Sequence, residues 1–497
     1  MARRYSSASS FTARCAGRIL PLLLSVALLP PGAVPVSLSQ VPPLPSRISK
    51  AVLEERPIAI MLLMIARNEE ENFRANLPLW RPMISAFTCA VDDRTTDQTS
   101  LAIVESLPDV PRWVFYYPFK GFSDARNHVF REGWRKFGDN MTHFLVADPD
   151  WEPAGQLNTA ELDLVHVAFQ FKIFDRNMHT TRLSEWLLLA QSGLQFKYRL
   201  HEQLVVSGVP VPGLQGTTRI TSFEVREVEV KGRNSWHQQE DHGHTQSYNR
   251  YLFDLALLHK DIEELPDDPH VLYYLGTTHF ALLESSTGKG EHSLTDQMSQ
   301  WIASGVKFLE QRCQDRHVKN KMVPEEQSWA ALRWLAYAYQ NFLHDFDKAA
   351  YWYERCVAFD PPRADCPTFL AKVYRSNGHV DRAWASLAVV LRSPMQERSF
   401  SNNFYIYQCS LPLEAAMTLN SLFDAEGLAV IDESRFPVFL LGWKLLRTAQ
   451  KNCNSEVHGF LLESPETVAS VEQAYRARAP PDSTGDPANP VSPLEVS

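Results

Sequence analysis

The sequence predicts two folded regions, an α/β region with a mostly parallel sheet followed by an all-α region of helical repeats. Short apolar runs alternate with helical stretches between residues 58 and 153, a pattern typical of βαβ units. Residues 254 to 392 are instead rich in Leu, Ala and aromatics at helical spacing. At 497 residues, the chain is too long for a single hydrophobic core.

Four apolar runs predict the first strands of the α/β region, with helices between them. These runs are residues 58–65, 87–91, 113–117 and 141–147. Residues 165–173 predict a further strand. A helix is expected to begin near Thr181, with Ser184 as its cap.

Asp148 and Asp150 flank Pro149 directly after the fourth predicted strand. Because open α/β sheets bind ligands at the carboxyl ends of their strands, both carboxylates are expected to face one ligand. Hard oxygen ligands suit Mg²⁺ or Mn²⁺, which proteins hold with one or two carboxylates plus substrate phosphates. The alternative is an ordinary turn after a strand.

Four polar motifs occur in order along this region and together resemble the family 2 glycosyltransferases of the GT-A fold. They are Ala-Arg-Asn-Glu-Glu from Ala66, Val-Asp-Asp-Arg-Thr-Thr-Asp-Gln-Thr from Val91, Phe-Ser-Asp-Ala-Arg-Asn from Phe122 and Asp-Pro-Asp from Asp148. The resemblance covers about residues 58 to 245 and implies an α/β GT-A (nucleotide-diphospho-sugar transferase) domain. Two positions depart from the family pattern: Arg94 replaces a glycine, and Pro149 lies within the Asp-x-Asp motif.

The resemblance implies transfer of a sugar, with inversion, from a UDP-linked nucleotide sugar to the hydroxyl group of an unknown acceptor. The implied nucleotide-sugar-binding residues are Asn68, Glu69, Asp92, Arg126 and Asn127. Asp92 is expected near the base and Arg126 near the pyrophosphate. The implied ligands of a Mn²⁺ or Mg²⁺ cofactor are Asp148 and Asp150. For Arg126, the alternative is a structural salt bridge to Asp124 or to a helix carboxylate.

A second pair, His201 and Glu202, resembles a motif downstream of the metal site in family members that carry tetratricopeptide repeats. This implies His201 as a third metal ligand and Glu202 as the catalytic base, while a solvated pair at a strand end is the alternative. Asp241 is the second candidate base, and nearby His237 is a candidate late ligand of the same cation. Zinc is disfavoured there, because the stretch has neither a Cys partner nor HExxH spacing.

Matching residues spaced by 34 positions predict tetratricopeptide-like repeats. The matched pairs are Ala349 and Ala383, Tyr353 and Leu387, and Cys356 and Val390. An earlier, degenerate copy opens at Leu275. Stacked repeats present a concave face that could bind a peptide, another protein or the acceptor.

The chain ends predict targeting and disorder. No Asp or Glu precedes Glu54, and four Arg precede an apolar run at residues 19–29, which predicts a signal segment for the secretory pathway (ER/Golgi lumen or secretion). An organelle transit peptide is the alternative. The expected organisation is a leader at 1–50, a GT-A domain at 51–245, repeats at 246–400, a helical extension at 401–476 and a disordered tail at 477–497.

Composition narrows the possible functions. A net charge of −9 argues against a nucleic-acid partner, since phosphate binding needs a basic surface. Seven widely spaced Cys, with Cys356 in a repeat core, predict no extensive disulfide framework. The main hypothesis is a metal-dependent sugar transferase. The alternatives are an inactive, transferase-like scaffold that binds protein partners through its repeats, and a nucleotidyltransferase.

Overall fold

The structure is a computed structural model that describes twelve parts of the chain. They are residues 57–175, 180–190, 193–206, 209–210, 217–227, 246–286, 296–320, 325–393, 402–403, 406–426, 436–452 and 465–478. The predicted leader lies outside these residues, as do Asp241 and His237.

A mixed, mostly parallel sheet forms the centre of the N-terminal region. Its main strands are β1 (Ile60–Ala66), β2 (Ala86–Asp92), β3 (Arg112–Tyr117), β4 (His143–Val146), β5 (Trp151–Gly155), β6 (Ala168–Asp175), β7 (Thr180–Leu189) and β11 (Thr217–Glu227). Their order is β3-β2-β1-β4-β7-β6-β11-β5. The pairs along β3, β2, β1 and β4 are parallel, as is β6 with β11. The pairs β4–β7, β6–β7 and β5–β11 are antiparallel.

The four apolar runs form β1 to β4, as predicted. Three helices connect them: α1 (Glu70–Trp80), α2 (Thr99–Ser106) and α3 (Phe122–Phe137). Helices α1 and α2 contribute to the core on one face of the sheet, and α3 contributes to the core on the other. Since parallel neighbours require crossover connections, this arrangement brings the carboxyl ends of β1, β2, β3 and β4 to one edge.

The predicted helix near Thr181 is wrong, because this segment is the central strand β7. Leu187 and Leu188 belong to the cores on opposite faces of the sheet, as consecutive strand residues must. Backbone pairing with both β4 and β6 outweighs the local capping signal of Ser184. A central strand is apolar on both faces, so periodicity alone does not distinguish it from a buried helix.

Three short strands form a second sheet, and the helices follow it. The strands are β8 (Leu194–Lys197), β9 (Gln203–Val206) and β10 (Val209–Pro210). The helices are α4 (Gln246–Glu264), α5 (Pro269–Ser286), α6 (Asp296–Arg312), α7 (Asp315–Val318), α8 (Glu325–Asn341), α9 (Phe346–Phe359), α10 (Asp365–Ser376), α11 (Val380–Val390), α12 (Leu411–Ala425), α13 (Phe436–Asn452) and α14 (Pro465–Arg478). A short strand, β12 (Asn402–Asn403), pairs with β7.

The helical region is tetratricopeptide-like. The six residues of the 34-residue spacing lie on α9 and α11 and are each at most 1% exposed, so equivalent positions of successive helix pairs share one core. Among the described residues, no helix is long and apolar enough to cross a membrane.

Cys356 forms a disulfide with Cys366, which joins α9 to α10. Cys409 is also disulfide-bonded, whereas Cys89 and Cys313 are free and buried. Cys356 fills the predicted core position and is also cross-linked there, which the sequence did not predict. Sequence separation alone does not show that two helices bring these sulfurs together.

Candidate active site

A cavity of about 630 Å³ opens at the carboxyl ends of the parallel strands. Residues at or just after the carboxyl ends of β1, β2, β3 and β4 line this cavity. Arg67 follows β1, Asp92 ends β2, Tyr117 ends β3, and Asp148 and Asp150 follow β4. The predicted site residues that line this cavity are Glu69, Asp92, Arg126, Asp148, Asp150, His201 and Glu202. Residues distant in sequence therefore meet at the edge where the alternation of strands and helices predicted a ligand site.

Arg126 connects Glu202, the first candidate base, to Asp148, a predicted metal ligand. It projects from α3 and is 4% exposed. Its Nε donates to Oε1 of Glu202 at 2.5 Å, and its Nη2 donates to Oδ1 of Asp148 at 2.8 Å. Its guanidinium also lies 4.6 Å from the ring centre of Trp186. Burial alone would lower the pKa of Arg126, but the carboxylates of Asp148 and Glu202 raise it, so Arg126 stays charged.

The third guanidinium nitrogen of Arg126 has no hydrogen-bond partner among the described residues. Its Nη1 is buried and makes no hydrogen bond within the described parts of the chain. An unpaired buried donor is costly, and this one belongs to a side chain that lines the cavity.

Asp148 and Asp150 both line the cavity. The described ranges contain no group of three His, Cys, Asp or Glu side chains arranged to hold a metal ion. A Mg²⁺ or Mn²⁺ ion needs only one or two protein carboxylates when phosphates and water complete its shell. The two aspartates therefore fit a cation that is bound together with a phosphorylated ligand, rather than an all-protein metal site.

His201 and Glu202 end a segment of unusual backbone geometry, Tyr198–Glu202, which we call the anchor segment. Tyr198 and His201 have φ values of 72° and 52°, a left-handed conformation that costs energy for bulky side chains. The His201 ring stacks on Tyr274 at 3.8 Å. Burial, helped by the charges of His270 and Arg250, lowers the pKa of His201 to about 3. Its imidazole is therefore neutral, and within the described ranges it does not join Asp148 and Asp150 in a three-residue group that could hold a metal ion.

The helical region holds the anchor segment in this conformation. Asp261 on α4 accepts from the backbone N–H of Arg199 at 2.9 Å and from its Nη1 at 2.6 Å. His270 on α5 donates from Nε2 to the carbonyl oxygen of His201 at 2.8 Å, and its Nδ1 accepts from Gln327 at 3.0 Å. These bonds fix the backbone beside Glu202, so helices outside the α/β region position a side chain of the cavity.

Asp92 is engaged by Arg94, one of the two departures from the family pattern. Arg94 donates to it from the backbone N–H at 3.0 Å, from Nε at 2.9 Å and from Nη2 at 2.6 Å. Burial would raise the pKa of Asp92, but these hydrogen bonds, with the nearby charge of Arg67, lower it. Asp92 is therefore an ionised, already paired carboxylate at the end of β2.

Two predicted nucleotide ligands do not line the cavity. Asn127 donates to the carbonyl of Phe196 at 2.7 Å and accepts from its N–H at 2.8 Å, which ties α3 to β8. Asn68 accepts from the N–H of Thr96 at 2.7 Å and has a φ of 52°, which asparagine tolerates. Both amides thus support the backbone around the site.

Several residues that line the cavity were not predicted from the sequence. Arg182 of β7 forms a salt bridge with Glu227 of β11, and α4 contributes Arg250 and Asp254. Asp254 is 5% exposed. A carboxylate within an apolar helix stretch is a recognisable signal, because Asp is almost never buried without a reason. The wall that it belongs to could not be inferred, since α4 lies outside the family resemblance.

Comparisons with known proteins leave the N-terminal α/β region without an assigned family. No protein-family model matches the chain, and no curated protein matches it. Two crystal structures of MamA are similar at 16% and 19% identity, over 43% and 41% of this chain and 89% and 91% of theirs, with TM-scores of 0.27 and 0.26. TTC0263, a thermophilic TPR protein of Thermus thermophilus, is similar at 16% identity over 45% of this chain and 90% of its own, with a TM-score of 0.23. Similarities this weak carry no functional argument.

Proposed function

We propose that this protein is a metal-dependent glycosyltransferase that moves a sugar from a nucleotide-diphosphate sugar, UDP-linked, to an acceptor hydroxyl group. The observation that carries the proposal is the cavity at the sheet edge. It gathers the Asp-Pro-Asp carboxylates, Arg126, Glu202 and Asp92 from motifs far apart in sequence. Its volume lies within the usual range of small-molecule sites.

In this reaction, the cavity residues must stabilise the negative charge that develops on the leaving diphosphate. A bound Mn²⁺ or Mg²⁺ would supply Lewis-acid stabilisation of that charge, and Asp148 and Asp150 would hold it. Arg126 lines the cavity and would support the phosphates with its charge, while two of its nitrogens keep Asp148 and Glu202 in place. Trp186 restricts water around the guanidinium, which strengthens these charge interactions.

The proposal is tested with purified protein, Mn²⁺ and a donor panel of UDP-glucose, UDP-galactose, UDP-N-acetylglucosamine and GDP-mannose. We expect release of nucleoside diphosphate from one donor and a higher melting temperature with Mn²⁺ and its diphosphate, as ligand linkage requires. Asp150→Ala should abolish both effects and keep the fold, because its charge serves the ligand. An Asp150→Ala variant with full nucleotide affinity would exclude the metal assignment.

The second candidate is a binding scaffold with an inactive transferase-like region. The ion pairs of Asp92 with Arg94 and of Asp148 with Arg126 favour it, because both carboxylates are already neutralised without a ligand. The helical repeats would then carry the function by binding a protein partner. No melting-temperature shift with any nucleotide or metal would support this candidate over the enzyme.

We further propose the secretory pathway as the compartment. The Cys356–Cys366 disulfide and the disulfide-bonded Cys409 support an oxidising environment, where such bonds persist. Alkylation of unfolded protein taken directly from its native cells should modify Cys89 and Cys313 and spare Cys356 and Cys366. Alkylation of all four would instead favour a reducing compartment.

A further inference from the structure

The carboxylates of the cavity differ in how they are neutralised. Glu202, the first candidate base, accepts a hydrogen bond from Arg126 and is 9% exposed at its side chain. Asp92 is paired with Arg94, and Glu227 with Arg182. Each of these carboxylates already binds a guanidinium group, so its oxygens are engaged within the protein. The structure thus gives Glu202 a positioning role for Arg126.

Asp254 is placed differently. It belongs to α4, lines the cavity and is 5% exposed. Nε of Arg250 is 3.7 Å from its Oδ2, an ion-pair distance rather than a hydrogen bond, and the Arg250 side chain is 52% exposed. Burial raises the pKa of Asp254 to about 6, against a smaller lowering by Arg250. A base works best when its pKa is near the operating pH.

The surroundings of Asp254 suit the acceptor substrate rather than the nucleotide-sugar donor. Its neighbour Phe253 also lines the cavity, and its ring centre is 6.4 Å from that of Phe119. Arg126 on α3 and the two aspartates after β4 come from other elements, and Arg250 is the cation that α4 itself adds beside Asp254. An acceptor that enters along the α4 wall would meet the ring of Phe253, the buried carboxylate of Asp254 and the guanidinium of Arg250.

We propose that Asp254, contributed by the helical region, is the catalytic base of the transfer; this inference rests on the proposed function. Its carboxylate takes the proton of the acceptor hydroxyl as the oxygen forms its bond to the anomeric carbon. The bond from that carbon to the diphosphate oxygen breaks, and its electron pair leaves with the diphosphate. Asp254 ends the step protonated, and the proton passes to solvent.

The test compares two nucleophiles in Asp254→Asn, using the donor that the panel identifies. Water must lose a proton when it attacks, whereas azide carries none. We expect release of nucleoside diphosphate with water to fall by about 10²- to 10⁴-fold, the usual contribution of a general base. Azide-dependent release, and the melting-temperature shift with Mn²⁺ and UDP, should stay at the wild-type level.

Glu263→Gln is the matched control, because Glu263 is an exposed carboxylate on the same helix and does not line the cavity. It should leave both nucleophiles unaffected. Unchanged water-dependent release in Asp254→Asn would overturn the assignment. An equal loss with water and with azide would also overturn it, because a structural defect has that signature. A wild-type protein that releases nothing with either nucleophile would contradict the proposed function itself.

Discussion

At the scale of single residues, the site depends on one buried guanidinium. Arg126 stands between Asp148 and Glu202, at 2.8 and 2.5 Å, and keeps two carboxylates apart that would otherwise repel each other. Its planar fork presents donors to both partners in a fixed geometry, which the rotatable donors of a lysine ammonium do not. The pair of salt bridges therefore sets the shape of the cavity before any ligand binds.

Arg126→Met should destabilise the protein by roughly 3 to 5 kcal/mol, the usual cost of leaving a buried charge without its partner. Urea unfolding measures this free energy. The double variant Arg126→Met with Glu202→Gln should recover most of the stability, because the 9% exposed carboxylate is then neutral. It should still lack nucleotide affinity. Equal stability of Arg126→Met and the wild type would show that the bridges contribute nothing to folding.

Sequence motifs located the polar residues around the site but did not separate their roles. Asn127 and Arg126 are adjacent in one motif, yet one binds the backbone of Phe196 and the other lines the cavity. A helix presents consecutive residues about 100° apart, so neighbours face different surroundings. Asp254 could not be placed from sequence at all, because its role depends on how α4 packs against the sheet edge.

At the scale of elements, pairing partners decide what local sequence leaves open. The strands β1 to β4 were predictable because their apolar runs are short and each is bounded by polar residues. Strand β7 was not, since its identity comes from β4 and β6 on either side. Similarly, the spacing of 34 residues predicted the buried faces of α9 and α11, but not the cross-link between α9 and α10.

Removing the cross-link with Cys356→Ala and Cys366→Ala should lower the free energy of unfolding. The sequence separation is 10 residues, and closing a loop of that size stabilises by roughly 2 to 3 kcal/mol. Cys313→Ala is the control, because Cys313 is a free thiol at 0% exposure and reports the loss of a buried sulfur alone. Dithiothreitol should lower the melting temperature of the wild type more than that of the double variant. An equal decrease in both would show that this disulfide does not stabilise the fold.

At the scale of the whole molecule, the α/β region and the helical region share one hydrophobic core beside the cavity. The core that contains Tyr198 and Leu200 of the anchor segment also contains Leu258 of α4 and Val271 and Leu275 of α5. The anchor segment has two left-handed residues and needs outside support to keep this conformation. The helices are therefore part of the site and not an appended module, which the resemblance to a complete transferase domain did not predict.

A fragment that ends at residue 245 should consequently lose the structure of the anchor segment. Without Asp261 and His270, the N–H of Arg199 and the carbonyl of His201 lose their partners, and Leu200 becomes exposed. Limited trypsin digestion tests this without reference to activity. Cleavage after Lys197 and Arg199 should be fast in the fragment and slow in the whole chain, since proteolysis follows local opening.

The full-length variant Asp261→Ala distinguishes the loss of these hydrogen bonds to the anchor segment from the loss of the whole helical region. It removes the two hydrogen bonds that Asp261 accepts from Arg199 and keeps the apolar contacts of Leu258 and Val271. Its cleavage rate after Arg199 should fall between those of the fragment and the wild type. If the fragment resists trypsin as well as the whole chain does, the α/β region folds its anchor segment alone. The conformation of the anchor segment would then not depend on Asp261 and His270.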